Sequence, residues 1–395
     1  MPTQRRFHPA GAAQGKSAGV RARGARPRGP ALATLAASGA LAFGVLACGG
    51  PPPIVACEAH AGVTPVCGFH NPEDIALAPG GRWLILSEAP RGDEPGELAG
   101  YRPDDGARRT LWDGASEPVS PSVAGCPGAP EPGALVPHGI DLADDGRTLF
   151  VVNHGGRETV EVFDLRRDER GPTLVWRDCV RMPEESMMND VAALPDARQE
   201  SGFVATRMMS PGIAGMMALS FGRSSGEVWL WTPVRGLQEV PNTTARGPNG
   251  IEVSADGGTL FFSEWAARRL VRIGIDGNGR RAVDLGFNPD NLTWAPDGRL
   301  LVAGQIASPI EATACFDVRE GTCGLPSAVA AVDPATLEVE RLWTADPATV
   351  AGGVSVALEH DGRIWLGTFG GDRVAWFSAP RTPARRAAAG SAERR

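Results

Sequence analysis

The chain has 395 residues, of which 42% are hydrophobic and 22% charged, with a formal net charge of −7. That is too long for one small domain and has ample apolar mass for a large core, while 51 Gly and 34 Pro disfavour long helices. Residues 1–47 hold seven basic and no acidic side chains, so the rest of the chain carries −14, a balance that argues against nucleic acid as a partner and suits a cation.

Residues 1–47 begin with Arg5, Arg6, Lys16, Arg21, Arg23, Arg26 and Arg28 and continue as an uncharged run from Ala31 to Ala47. A basic region, an apolar run and small residues before a cut make a secretory leader, and the run is slightly short for a membrane span. Val45-Leu46-Ala47-Cys48 resembles a bacterial lipobox, in which the cysteine becomes a lipidated N terminus. The expectation is export to the periplasm or outer membrane, with membrane contact only through a lipid anchor at Cys48. Residues 48–65 then read as a tether. Setting Cys48 aside leaves Cys57, Cys67, Cys126, Cys179, Cys315 and Cys323, an even set suited to an oxidising compartment. Cys57 with Cys67, Cys315 with Cys323 and Cys126 with Cys179 is one pairing; spacing alone does not fix it, and the thiols would stay free in a reducing compartment. No cysteine spacing matches a zinc site.

Next comes a repeat ending in a turn glycine: Glu73 to Gly81, His138 to Gly146, a degenerate copy Asn189 to Ala197, Asn249 to Gly257, Asp290 to Gly298 and Val354 to Gly362. Apolar residues alternate two and four places after the first (Ile75 and Leu77, Ile140 and Leu142, Ile251 and Val253), and a second β-rich run follows the turn, as in Leu149-Phe150-Val151-Val152. Period-two alternation on both sides of an Asp-Gly turn is a hairpin signal, and hairpins recurring every 40 to 65 residues point to propeller blades. A two-sheet sandwich would not explain one hairpin repeated six times. We therefore predict an all-β, six-bladed β-propeller with a central metal-binding tunnel over residues 66–378, followed by a disordered basic tail over 379–395.

The innermost strand of each blade lines such a tunnel, so the first residues of the repeats should face one another: Glu73, His138, Asn189, Asn249, Asp290 and Val354. With the adjacent Asn291, they offer two carboxylates and three amides, a donor set of oxygens. Ca²⁺ takes six to eight oxygen ligands, whereas Mg²⁺ demands a stricter octahedral site and thiolate- or imidazole-seeking metals find little here. Asn and Asp before a strand also cap turns, and a metal in this ring could simply tie blades together. His138 shares the ring, and His154 ends the next strand of the same blade, so the two imidazoles can pair as a general base and its relay. His60, His70 and His360 lie near loops or blade edges. The pairs Met187-Met188, Met208-Met209 and Met216-Met217 either line a pocket or fill core. Gly222 to Gly226 lacks the spacing of a nucleophile elbow, and no glycine-rich phosphate cradle is present.

At these residues the sequence resembles the paraoxonase/arylesterase family, within the broader gluconolactonase-like (senescence marker protein) six-bladed propellers. The resemblance is carried by Pro72-Glu73-Asp74, Pro137-His138-Gly139-Ile140, Val151-Val152-Asn153-His154, Thr159-Val160-Glu161-Val162-Phe163, Asn189-Asp190-Val191, Asn249-Gly250-Ile251 and Asp290-Asn291, in family order. It implies two calcium ions. Glu73, Asn189, Asn249, Asp290 and Asn291 match the ligands of the catalytic one; Asp74, Asp190 and the carbonyl of Ile140 match a buried structural one. It also implies that His138 and His154 form the histidine dyad of enzymes that hydrolyse lactones, aryl esters and, in some members, organophosphates. Three departures stand out. Ala205-Thr206-Arg207-Met208-Met209 replaces an aromatic- and His-containing wall, and Tyr101 is the single tyrosine. The family's disulfide between first and last blades lacks its C-terminal cysteine, so closure must rest on strand pairing.

The expected function is a calcium-dependent hydrolase of lactones or esters, acting on a small molecule as a monomer, with His138 as base and His154 orienting it. The thin aromatic content favours lactones over aryl esters. A gluconolactonase-like sugar lactonase and a calcium-stapled binding module without catalysis are the alternatives.

Overall fold

The structure is a computed structural model that describes residues 50–380, apart from 120, 121, 123 and 132. The leader, Cys48 and nearly all of the expected tail lie outside the described residues. Six four-stranded antiparallel sheets form the fold. Their first strands in chain order are Pro72–Leu77, Pro137–Leu142, Met187–Ala193, Pro248–Val253, Asn288–Trp294 and Val354–His360, which open blades 1 to 6. Each of these strands packs against the corresponding strand of both neighbouring blades, with blade 6 meeting blade 1, so the six strands ring a common axis. The hairpin repeat, including its degenerate third copy, marks all six.

Between neighbouring blades lies one apolar cluster each. Strand Thr148–Asn153 shows how the sequence builds two of them: Leu149 and Val151 turn toward blade 1, while Phe150 and Val152 turn toward blade 3. In strand Thr259–Glu264, Leu260 and Phe262 likewise face blade 3 and Phe261 faces blade 5. A strand buried on both faces needs a continuous apolar run, because successive side chains point to opposite sides of the sheet. The last two clusters place Ala303 and Val329 against Val354 and Ile364, and Trp365 and Val374 against Leu84 and Leu86, which closes the ring.

Closure also uses the backbone. Strand Thr64–Cys67 pairs antiparallel with Arg373–Ser378 as the outermost strand of blade 6, from Thr64 opposite Trp376 to Cys67 opposite Arg373. Part of the expected tether is fixed to the fold as well. Ile54 and Thr322 exchange backbone hydrogen bonds of 2.8 and 3.0 Å, and the buried guanidinium of Arg373 donates to the carbonyls of Ile54 and Ala56 at 2.9 and 2.6 Å. A buried cation has to find acceptors, and these carbonyls supply them. The three disulfides join Cys57 to Cys67, Cys126 to Cys179 and Cys315 to Cys323. The first of these ends on the closing strand itself. Among the described residues no helix is long and apolar enough to cross a membrane.

Candidate functional site

Every innermost strand loses its ladder register within its first turn of pairing: between Pro72 and Asp74, Pro137 and Ile140, Met188 and Val191, Pro248 and Ile251, Pro289 and Leu292, and Val354 and Val356. A bulge frees a residue from the ladder and re-aims its side chain. The breaks coincide with Glu73, His138, Asn189, Asn249 and Asp290–Asn291, so the polar residues leave the sheet where the strands converge. Close approach of the strands requires small residues there. A Cβ on Gly139 would collide with Asp190, and one on Gly250 with the Asp290 carbonyl and Asn291.

The structure brings these residues together. Asn291 Nδ2 donates to Glu73 Oε1 at 2.9 Å, the same oxygen lies 3.8 Å from His138 Nε2, and Asn189 Nδ2 lies 3.2 Å from that nitrogen. The Asn249 side chain hydrogen-bonds Asp290, whose Oδ2 also accepts from Gln305 Nε2 at 2.6 Å. Glu73, Asn189, Asn249, Asp290 and Asn291 are each at most 5% exposed. Buried polar atoms are normally paired. Here Glu73 Oε2, Asn189 Oδ1, Asn249 Oδ1 and Asn291 Oδ1, from four blades, have no hydrogen-bond partner.

Two further carboxylates sit beneath. Asp74 accepts the backbone N–H groups of Ile75 and Ile140 at 2.8 Å each, and Asp190 those of Val191 and Ile251 at the same distance. Each therefore ties its blade to the next. A cavity of about 140 Å³ lies between all six innermost strands past Asp74, Ile140, Asp190 and Glu252, and a second of about 500 Å³ has Asp141, Leu142 and Glu252 in common with it. Asp141 and Glu252 were not anticipated; both are the fourth residue of the repeat, where the other copies have Ala76, Ala192, Thr293 and Ala357.

Crowding this many acids in one tunnel has an electrostatic consequence. Burial pushes Asp74 and Asp290 up to about 7 and Asp141 up to about 6. Glu73 is raised well above the usual carboxylate range, first by burial and then by Asp74, Asp290 and Asp190; Asp190 and Glu252 are raised too, again chiefly by burial. Charged acids in such a place need either protons or a cation. Among the described residues no group of three or more His, Cys, Asp or Glu side chains is arranged to hold a metal ion. The ring fits a hard cation for a different reason: three of its four unpartnered oxygens are amides, neutral donors of the kind Ca²⁺ accepts. Asp74 and Asp190 fit less well, because all four of their oxygens already accept backbone N–H groups.

The two imidazoles meet edge to face, with ring centroids 5.1 Å apart and planes at 76°. Burial, reinforced by the neighbouring His154, lowers His138 to about 3. Three contributors were invisible to the repeat register because they lie on second strands or loops. Asn153 Oδ1 accepts from the N–H groups of Val136 and Gly155, pinning the segments that carry both histidines. Thr206 Oγ1 accepts from Asp190 N at 3.1 Å and donates to the Asn249 carbonyl at 2.5 Å. Glu158 contacts His154. Of the methionines, Met208 reaches the site, with Sδ 3.8 Å from Asn189 Nδ2, whereas Met188 is core and Met217 is exposed. Tyr101 is buried between Phe69 and Trp365, away from the axis.

No protein-family model matches the sequence, and no curated protein matches it. Solved structures do. The chain is similar to a luciferin-regenerating enzyme at 12% identity, with 84% of this chain and 96% of that one covered and a TM-score of 0.50. It is also similar to a gluconolactonase of Xanthomonas campestris (16% identity, 84% and 98% covered, TM-score 0.49) and to a periplasmic gluconolactonase of Pseudomonas aeruginosa (18%, 78% and 89%, 0.42). At these identities the likeness is one of fold: the chain is a six-bladed propeller, and its chemistry has to be argued from the residues on its axis.

Proposed function

We propose that the protein is a calcium-dependent hydrolase of lactones and related esters, with its reaction centre at the ring of Glu73, Asn189, Asn249, Asp290 and Asn291. The observation that carries this reading is the set of four buried, unpartnered oxygens converging from four blades. Those five residues would hold the cation, which when bound supplies Lewis-acid polarisation of a carbonyl. The chain's own contribution begins at His138. Asn189 Nδ2 is a donor, so His138 Nε2 presents its lone pair to the ring and its hydrogen resides on Nδ1. Burial keeps the imidazole neutral, as a base must be, and a water entering between His138 and the ring would take the place of the Asn189 N–H at Nε2 and give its proton there. All six described cysteines are in disulfides, so attack by water rather than by a thiol is the route. With Tyr101 in the core, lactones suit the site better than aryl esters. A second ion at Asp74, Asp190 and the Ile140 carbonyl rests on the family resemblance. Three disulfides accord with export to an oxidising compartment.

The depressed basicity of His138, about 3, favours a second reading: a gluconolactonase-like sugar lactonase in which the histidines are incidental. A panel of lactones and esters assayed with added Ca²⁺ tests both, together with His138→Gln shown by thermal shift to retain Ca²⁺ binding. A fall in turnover supports His138 as base, and unchanged turnover supports the sugar lactonase. A chelator that abolishes stability while no substrate is ever turned over would instead indicate a calcium-stapled binding module.

A further inference from the structure

We infer that Glu158 is a positioning residue for the histidine pair: it holds His154 with the hydrogen on Nδ1 and so leaves Nε2 bare in the ring that meets His138 edge to face. The consequence for turnover rests on the hydrolase reading above; the consequence for the ring does not. Both carboxylate oxygens of Glu158 lie 3.0 Å from His154 Nδ1. A carboxylate only accepts, so Nδ1 donates, and in the neutral ring Nε2 then carries the lone pair. That Nε2 is buried and has no hydrogen-bond partner. A buried acceptor left unpaired is unfavourable, so something outside the ring imposes the arrangement. Glu158 is the group placed to do so.

Glu158 is itself held in place. Its Oε1 accepts from the Met188 N–H at 2.5 Å, and its backbone carbonyl accepts from Met182 N–H at 3.1 Å. Met188 precedes Asn189, whose side chain reaches His138 Nε2. The contacts thus form a closed circuit from Glu158 to His154, His138, Asn189, Met188 and back to Glu158, spanning blades 2 and 3. With its hydrogen on Nδ1, His138 presents a donor on the side away from Asn189, and His154 Nε2 is the unpaired acceptor in the neighbouring ring. Through Met188 the same carboxylate links the ring orientation of His154 to the strand that carries Asn189. Which nitrogen of a histidine is protonated is set by the hydrogen bond its other nitrogen makes. In this pair that choice belongs to Glu158.

The test uses the full chain with ¹⁵N-labelled histidine. The imidazole ¹⁵N–¹H spectrum is recorded at about pH 8, where ordinary histidines are neutral, and the signals of His154 are picked out from those of the six histidines by their loss in His154→Gln. The native protein should show His154 protonated on Nδ1. In E158Q the amide oxygen stays with the Met188 N–H and its NH₂ faces Nδ1, so the tautomer should invert or become mixed; E158D, which keeps the carboxylate and guards against a folding artefact, should retain it. With the best lactone, E158Q should lower kcat by about ten- to a hundredfold at little changed KM, the scale typical of a partner that orients a functional histidine, and E158D should recover part of that loss. Native His154 protonated on Nε2, or an E158Q spectrum and kcat that match the native ones, overturns the inference. Should the spectra follow Glu158 while the native protein hydrolyses nothing, the hydrolase reading falls and the positioning role stands.

Discussion

Asn291 donates a 2.9 Å hydrogen bond to the carboxylate of Glu73 although 218 residues separate them. They sit on blades 5 and 1, with blade 6 between, and Ser355 of blade 6 donates to the Glu73 carbonyl at 2.5 Å from its own side. Side chains of non-adjacent blades can touch only at the axis, so this pair locates the centre of the ring and the place where a cation would be shared.

Calcium added to chelated protein should raise the thermal midpoint, because the unpaired oxygens of Glu73, Asn189, Asn249 and Asn291 gain a partner in the folded state alone. At a free ion concentration about a hundredfold above Kd the gain is about 2.7 kcal/mol. Glu73→Gln keeps the shape but removes one charge, and should shrink that gain. Scanning calorimetry with and without chelator reads both, and a native midpoint indifferent to Ca²⁺ would remove the ion from this site.

The chelated protein should be less stable at pH 8 than at pH 5. Asp74 and Asp290 titrate near 7 in the folded state, Asp141 near 6, against 3.8 for an ordinary aspartate. Between these values the folded chain binds more protons than the unfolded one, so the stability present below about pH 4 is lost as pH rises through about 7. Saturating Ca²⁺ should flatten the trend, since the ion takes over the neutralising role. Urea titrations at the two pH values decide it; greater stability of the chelated protein at pH 8 would contradict the protonated cluster.

Removing the disulfide between Cys126 and Cys179 should cost about 2–4 kcal/mol. It closes a loop of 53 residues whose segment around Gly128 also receives a 2.8 Å hydrogen bond from Arg157. That loop contains the strand of His138, whose start lies eleven residues after Cys126. Replacing both cysteines by Ala should therefore lower turnover as well as the urea midpoint; a stability loss with untouched turnover would show that the loop does not govern the histidine segment.

Phe262→Ala should cost about 3–5 kcal/mol, because Phe262 is fully buried between blades 3 and 4 against Val204, Val228 and Ile251. Thr64 on the closing strand, half-buried at the outer edge of blade 6, should tolerate Ala at much smaller cost. Comparative denaturation of the two variants measures the difference between inter-blade packing and edge pairing, and equal losses would mean that closure is as critical as the core.

Much of the ring was legible in the repeat. Hairpin turns and period-two alternation are local properties, so the six aligned copies by themselves put Glu73, His138, Asn189, Asn249 and Asp290 at equivalent points. The fourth position of the same repeat carries Asp141 and Glu252 where the other copies have Ala76, Ala192, Thr293 and Ala357, a signal as local as the first. Gln305, Thr206 and Glu158 could not be found that way. They stand on second strands or a loop, and what makes them part of the site is the neighbour they meet rather than their place in a repeat.

From the residues alone came the β character, the number of blades and the polar faces turned to the axis, because turn chemistry and side-chain alternation act over a few residues and survive any global arrangement. Tertiary packing decided the rest: that Thr64–Cys67 completes the last blade, that Cys57 pairs with Cys67, Cys126 with Cys179 and Cys315 with Cys323, that one segment of the tether is clamped by Arg373, and that Asn291 spends its N–H on Glu73 and so leaves its carbonyl oxygen bare. These outcomes depend on which groups are brought within hydrogen-bond reach after hundreds of intervening residues have folded, and on how much water is excluded when they arrive. No local pattern carries that information.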